Sequence, residues 1–161
     1  MRRLYWQDGA RRSGHPAAVR DSMAVNSTEG NALMHKWIDH VVVRVENLDE
    51  AIDHYTNRLG FTVTEPVEDQ PEIGLRRVIL GLGSSGTFIE LAEPLGENSD
   101  IGNAIAKRGE GIHLVALAVD DLAAATADMK ARGARVIEAG RQVFLHPKEG
   151  HGVMYQLIER K

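Results

Sequence analysis

One motif occurs twice in this chain, and the duplication constrains its fold more than any other feature. Ile38-Asp39-His40-Val41-Val42-Val43-Arg44-Val45-Glu46-Asn47-Leu48-Asp49-Glu50-Ala51 returns 74 residues later as Ile112-His113-Leu114-Val115-Ala116-Leu117-Ala118-Val119-Asp120-Asp121-Leu122-Ala123-Ala124-Ala125. Val45 answers Val119, Leu48 answers Leu122 and Ala51 answers Ala125. Further on, Gly60 answers Gly133 once one residue is dropped. The copies close on similar strands, Thr87-Phe88-Ile89-Glu90-Leu91 and Val153-Met154-Tyr155-Gln156-Leu157. A domain built from two copies of one unit is expected to carry its site between them.

Strand and helix periods give the unit its order. Residues 37–46 alternate as a strand, with Val41, Val43 and Val45 on one face and His40, Val42 and Arg44 on the other. Asn47 is an N-cap with Glu50 three positions on, the helix runs to about Arg58, and Gly60 ends it. Phe61 to Thr64 starts a second strand. Residues 65–72 are acidic and contain Pro66 and Pro71, which predicts a loop. Leu75 to Leu82 and Thr87 to Ala92 are two more strands around a turn at Gly83 to Gly86. A short helix is predicted at Ile101 to Lys107, in the link between the copies. The second copy repeats the order, with a helix over Leu122 to Arg132 and strands near 135–137, 141–145 and 153–158.

Residues 1–34 show neither period and read as a tail. They are expected to be disordered, or to follow from a start codon placed too early, with Met23 or Met34 as the true start. The domain proper is 35–161, with modules at about 37–93 and 112–159. Without residues 1–33 the body holds 14 basic and 20 acidic residues, a balance that gives no support for nucleic-acid binding through phosphates. There is no cysteine, so disulfides and thiolate metal sites are excluded. No apolar run is long enough for a membrane span, and no apolar core follows the N-terminal arginines as in a signal peptide. The expected location is cytoplasmic.

Alternation points Glu90 and Gln156 away from their apolar neighbours and onto the same face as His40. If the copies are related by a pseudo-two-fold, His40 pairs with Leu114 and Glu90 with Gln156 around one concavity. A buried imidazole and carboxylate need partners. A divalent metal would satisfy them, and so would hydrogen bonds to each other and to water. Arg76 and Arg77 alternate on the third strand, so one of them, with Arg76 as the candidate, faces the cavity and can pair with an anionic substrate, unless both only protect an edge. Lys148, in the last hairpin turn with His146 and His151, either meets a phosphate or carboxylate of a ligand or is a solvated turn residue.

With these strings in view the chain resembles the vicinal oxygen chelate superfamily, which includes glyoxalases, bleomycin resistance proteins and extradiol dioxygenases. Within it the nearest likeness is to the methylmalonyl-CoA epimerases. The likeness rests on Ile38-Asp39-His40, Glu90-Leu91-Ala92-Glu93-Pro94-Leu95, Lys107-Arg108-Gly109-Glu110-Gly111-Ile112-His113 and Phe144-Leu145-His146-Pro147-Lys148, and it covers residues 37–159. It implies an α+β fold, two βαβββ modules forming a curved mixed sheet around a cavity, and a homodimer. It also implies an isomerase that removes the proton α to a carbonyl of an acyl-CoA. A divalent ion (Co, Zn, Mn, Ni or Fe) would then be held by His40, Glu90 and Gln156. The alternatives are a metal-free small-molecule-binding protein of the bleomycin-resistance type and a glyoxalase-type lyase.

Two positions depart from the epimerase pattern. The third ligand position, a His in that family, is Leu114. His113 lies one residue earlier and is expected on the core side with Val115 and Leu117, unless a bulge intervenes. Gln156 stands where the epimerases carry a Glu that is both ligand and base, and an amide cannot accept a proton at neutral pH. The catalytic base is therefore not identified from sequence.

Overall fold

The structure is a computed structural model and describes residues 34–96 and 99–161. The expected tail, residues 1–34, lies outside the described residues apart from Met34. Among the described residues eight strands form a single mixed sheet in the order β2-β3-β4-β1-β5-β8-β7-β6. The first module comprises β1 (Ile38–Arg44), α1 (Leu48–Asp53), β2 (Thr62–Gln70), β3 (Leu75–Gly81) and β4 (Phe88–Pro94). After α2 (Asp100–Arg108), the second comprises β5 (Gly111–Val119), α3 (Leu122–Ala131), β6 (Val136–Ala139), β7 (Gln142–Leu145) and β8 (Tyr155–Glu159). Each module is the predicted βαβββ unit. The sheet order is symmetric about its centre, where β1 and β5 run antiparallel, while β1 pairs in parallel with β4 and β5 with β8.

The repeat holds down to the helix caps. Asn47 (φ −136°, ψ 110°) accepts from Glu50 N, and Asp121 (φ −136°, ψ 108°) accepts from Ala124 N. Such caps satisfy backbone N–H groups that a helix start leaves without partners. Glu93 at the end of β4 accepts from Leu48 N, and Glu159 at the end of β8 accepts from Leu122 N. Gly60 and Gly133 leave their helices at φ 75° and 83°, which a side chain would disfavour. The last turn of the first helix is widened over His54–Arg58, where Leu59 N reaches back to His54 O.

Val45, Leu48, Ala51, Val78, Leu80 and Leu91 form the core under α1. Val119, Ala125, Met129, Val143 and Leu157 form its counterpart under α3. Leu48, Leu80, Leu91 and Leu157 are fully buried, each stabilising the fold by about 1.5–3 kcal/mol. The other sheet face carries Val42, Ala92, Leu114 and Ala116, against which α2 lays Ile101. Helix α2 starts on a Ser99 cap and ends in Lys107 and Arg108, which suits the negative end of its dipole.

One predicted element differs. Residues 65–70, expected as loop, continue β2 through Pro66 to Gln70. Among the described residues strand β2 is the sheet edge and pairs only with β3, and its register slips between Glu65 and Glu68. A proline that donates no hydrogen bond is tolerated there.

Candidate functional site

The central strands set their inward side chains in two rows. One row runs Phe88, His40, Ala116, Gln156; the next runs Glu90, Val42, Leu114. His40, Glu90, Leu114 and Gln156, expected from sequence to converge, all line one cavity of about 1070 Å³. Ile101, Lys107 and Arg108 of α2, together with Arg77, His113, Phe144, Met154 and Arg160, complete the walls that matter here.

Two β-bulges shape this site. Along β1, Ile38 faces Leu117 but His40 faces Ala116, so Asp39 is the extra residue. A bulge overrides strict alternation. It lets Asp39, only 2% exposed, accept a hydrogen bond from Nδ1 of the adjacent His40 at 2.7 Å. Arg160 grips the same carboxylate at 2.6 and 3.0 Å. Burial alone would raise the Asp39 pKa; the hydrogen bonds from Arg160 and His40 outweigh it and hold the carboxyl below its ordinary value. With Nδ1 committed to Asp39, Nε2 is the free nitrogen of His40, and its ring stacks on Phe88 with centroids 4.6 Å apart.

The second bulge lies on β5. Val42 faces Leu114 but Val43 faces Ile112, so His113 is the extra residue. His113 was expected on the core side; the bulge brings it to the cavity wall instead. Arg44 supports the bulge from below, donating to the carbonyls of Gly109 (2.7 Å) and Ile112. The His113 imidazole is held below its ordinary pKa by burial first, then by Arg44 and Arg108, with Asp100 opposing. Its Nδ1 is buried without a hydrogen-bond partner among the described residues.

Of the two arginines of β3, Arg77 faces the cavity. The turn after β3 puts Ile79 opposite Glu90 and Arg77 opposite Ala92, so Arg77 shares a face with Glu90. Its Nη1 donates to Glu90 at 3.0 Å, while Nε and Nη2 donate to Glu68 at 3.3 and 3.0 Å. Arg76, expected as a substrate contact, points to the α1 side by alternation and pairs with Asp49, Asp69 and Glu93. Lys148 is exposed in the β7–β8 turn and is not part of the cavity wall.

The donor set fits a divalent metal poorly. Glu90 already holds a guanidinium, Leu114 and Val42 fill the row beside it, and Gln156 contributes only a neutral amide. Among the described residues no group of three His, Cys, Asp or Glu side chains is arranged to hold a metal. A cation such as Arg77 beside the carboxylate repels a second cation.

Residues 39–155 match the model of the Glyoxalase/Bleomycin resistance protein/Dioxygenase superfamily. The mitochondrial methylmalonyl-CoA epimerase of Dictyostelium discoideum is 38% identical over 132 residues, covering 76% of this chain and 78% of that protein. The ethylmalonyl-CoA/methylmalonyl-CoA epimerase of Cereibacter sphaeroides is 35% identical over 130 residues, 74% of this chain and 95% of that protein. A solved structure of Streptomyces coelicolor methylmalonyl-CoA epimerase in complex with 2-nitronate-propionyl-CoA superposes with a TM-score of 0.70 at 34% identity, covering 78% of this chain and 97% of that one.

Proposed function

Within the Glyoxalase/Bleomycin resistance protein/Dioxygenase superfamily, to which this chain belongs, we propose that it is an isomerase moving the proton α to the carbonyl of an anionic acyl-CoA thioester. The substrate class is supported by the epimerase relatives and by the acyl-CoA analogue bound in one of them. The observation that carries the chemistry is the Asp39–His40 pair, which presents an imidazole nitrogen to a large cavity bordered by Lys107, Arg108 and Arg160.

His40 Nε2 takes the α-proton. Asp39 keeps the other ring proton on Nδ1 and stabilises the imidazolium that forms. His113, the other imidazole of the cavity wall, takes up a proton when the anionic substrate settles beside it, since a neighbouring negative charge favours the imidazolium over the neutral ring that burial and Arg44 favour in the empty cavity. It then returns that proton to the opposite face of the carbon, which inverts the centre. The Gln156 amide supplies N–H donors for the enolate oxygen. The resemblance implies a divalent ion on His40, Glu90 and Gln156, but the donor set does not fit one, and these proton steps run through side chains alone. A homodimer and a cytoplasmic location belong to the same proposal. Among the described residues no helix is long and apolar enough to cross a membrane.

Deuterium incorporation tests this reading. In D₂O the wild type should exchange the α-proton of methylmalonyl-CoA, and His40→Ala should not. No exchange above the buffer rate with wild-type protein sinks it. A second reading, binding without turnover, is favoured by the apolar wall of Leu114, Phe144, Met154 and Ile158. It predicts acyl-CoA binding in chelator with no exchange at all.

A further inference from the structure

The position beside Glu90 holds a fixed positive charge of the protein's own. Arg77 spans two carboxylates of different character: the Glu90 side chain is 10% exposed, and that of Glu68, on the edge strand, is 57% exposed. The bond to Glu90 is therefore sheltered, while the bonds to Glu68 compete with solvent and are easily replaced. A guanidinium has five N–H donors in a planar fork suited to carboxylates, and among the described residues those on Nε and Nη2 are engaged only by Glu68. Phe88, Val42 and Leu114 leave the neighbouring wall apolar, which strengthens the charge of Arg77 inside the cavity.

We propose that Arg77 is the resident cation of this site: it stands in place of a divalent metal and binds the carboxylate carried by the acyl group of the substrate. Glu68 is its placeholder, bound to Nε and Nη2 when the cavity is empty and displaced by the substrate carboxylate. Glu90 remains bound and keeps the guanidinium in position. This inference rests on the acyl-CoA reading and deepens it, because it selects thioesters with an anionic α-substituent over their uncarboxylated counterparts.

The test is calorimetric binding of methylmalonyl-CoA and of propionyl-CoA in excess EDTA, to the full chain and to Arg77→Met, Arg77→Lys and Glu68→Gln. The wild type should prefer methylmalonyl-CoA by about 10- to 100-fold, the range of a charge-assisted contact. Arg77→Met should lose that preference while its propionyl-CoA affinity, which also reports an intact cavity, stays within a few-fold. Arg77→Lys should keep part of the preference, because the charge survives and the fork does not. Glu68→Gln should bind methylmalonyl-CoA several-fold more tightly. A preference that survives Arg77→Met, or that disappears in EDTA and returns with Co²⁺ or Zn²⁺, overturns the role of Arg77 and leaves the acyl-CoA reading standing. Binding of neither thioester by the wild type overturns that reading and this inference with it.

Discussion

Asp39 accepts a hydrogen bond at 2.7 Å from His40, its immediate neighbour on an extended strand, because a bulge cancels the alternation that would have sent the two side chains to opposite faces. Replacing Asp39 by Asn should leave the cavity in place but release the tautomer of His40. We expect kcat for α-proton exchange to fall on the order of 10²-fold, with KM changed only a few-fold. Exchange rates measured across substrate concentrations in D₂O separate the two parameters. An unchanged kcat would remove Asp39 from the reaction.

The same carboxylate makes stability depend on acid. Its folded pKa lies below its ordinary value, after burial is outweighed by Arg160 and His40. The folded state thus stays ionised where the unfolded chain has begun to bind a proton. The contribution is complete above the ordinary carboxyl pKa of about 3.9 and is lost as pH falls through the folded value. Thermal melts between neutral pH and pH about 2.5 should show Asp39→Asn less stable than wild type at neutral pH, with the gap closing in acid.

His113 gives a second pH dependence in a different window. Burial, Arg44 and Arg108 lower its pKa below 6.5, so the unfolded chain binds the proton first. Stability should fall as pH drops below about 6.5, and His113→Leu should flatten that slope. Denaturant titrations at several pH values report it directly.

His113 also carries an expectation for the reaction. If it returns the proton, His113→Gln should keep exchange into one enantiomer of methylmalonyl-CoA and lose inversion by at least about tenfold. Chiral analysis of the product beside its deuterium content distinguishes the two. Equal losses of exchange and inversion would assign His113 a supporting place only.

Asn47 and Asp121 cap their helices with backbone angles that agree within two degrees. Asn47→Ala and Asp121→Ala should each cost about 1 kcal/mol of stability, and nearly the same amount in both modules. Urea midpoints of the two variants provide the comparison. A large inequality would mean that the modules do not share their local energetics.

Much of this architecture was legible in the residues. The duplicated string around Val45-Glu46-Asn47-Leu48 and Val119-Asp120-Asp121-Leu122 carries the strand, the cap and the helix start of both modules. Strict alternation brought His40, Glu90 and Gln156 to one face, where they line one cavity. The bulges were not legible, because an extra residue in a strand leaves no compositional mark when every neighbour is β-compatible. Strict alternation therefore gives Asp39 no part in the site and sends His113 to the core face, whereas the bulges put Asp39 on His40 and His113 at the cavity wall. Pro66 and Pro71 make residues 65–72 read as a loop, but β2 runs on to Gln70, since a proline ends a central strand and not an edge one. Arg77 was within reach: Leu82 N bonds to Thr87 O across the turn, and counting back from that pair puts Ile79 opposite Glu90 and Arg77 on the same face.

A duplicated sheet begins with two equivalent halves, and a pocket between equal halves would accept a ligand in either of two orientations. Here the halves have become chemically unequal. Ile79 faces Glu90 in one module as Phe144 faces Gln156 in the other, so Gln142 occupies the place that answers Arg77. One side of the cavity therefore presents an ion pair where the other presents two neutral amides. The degeneracy is broken by charge: an elongated molecule with one anionic end has a single favourable direction in which to lie, and handedness at its reacting carbon can be read from that direction.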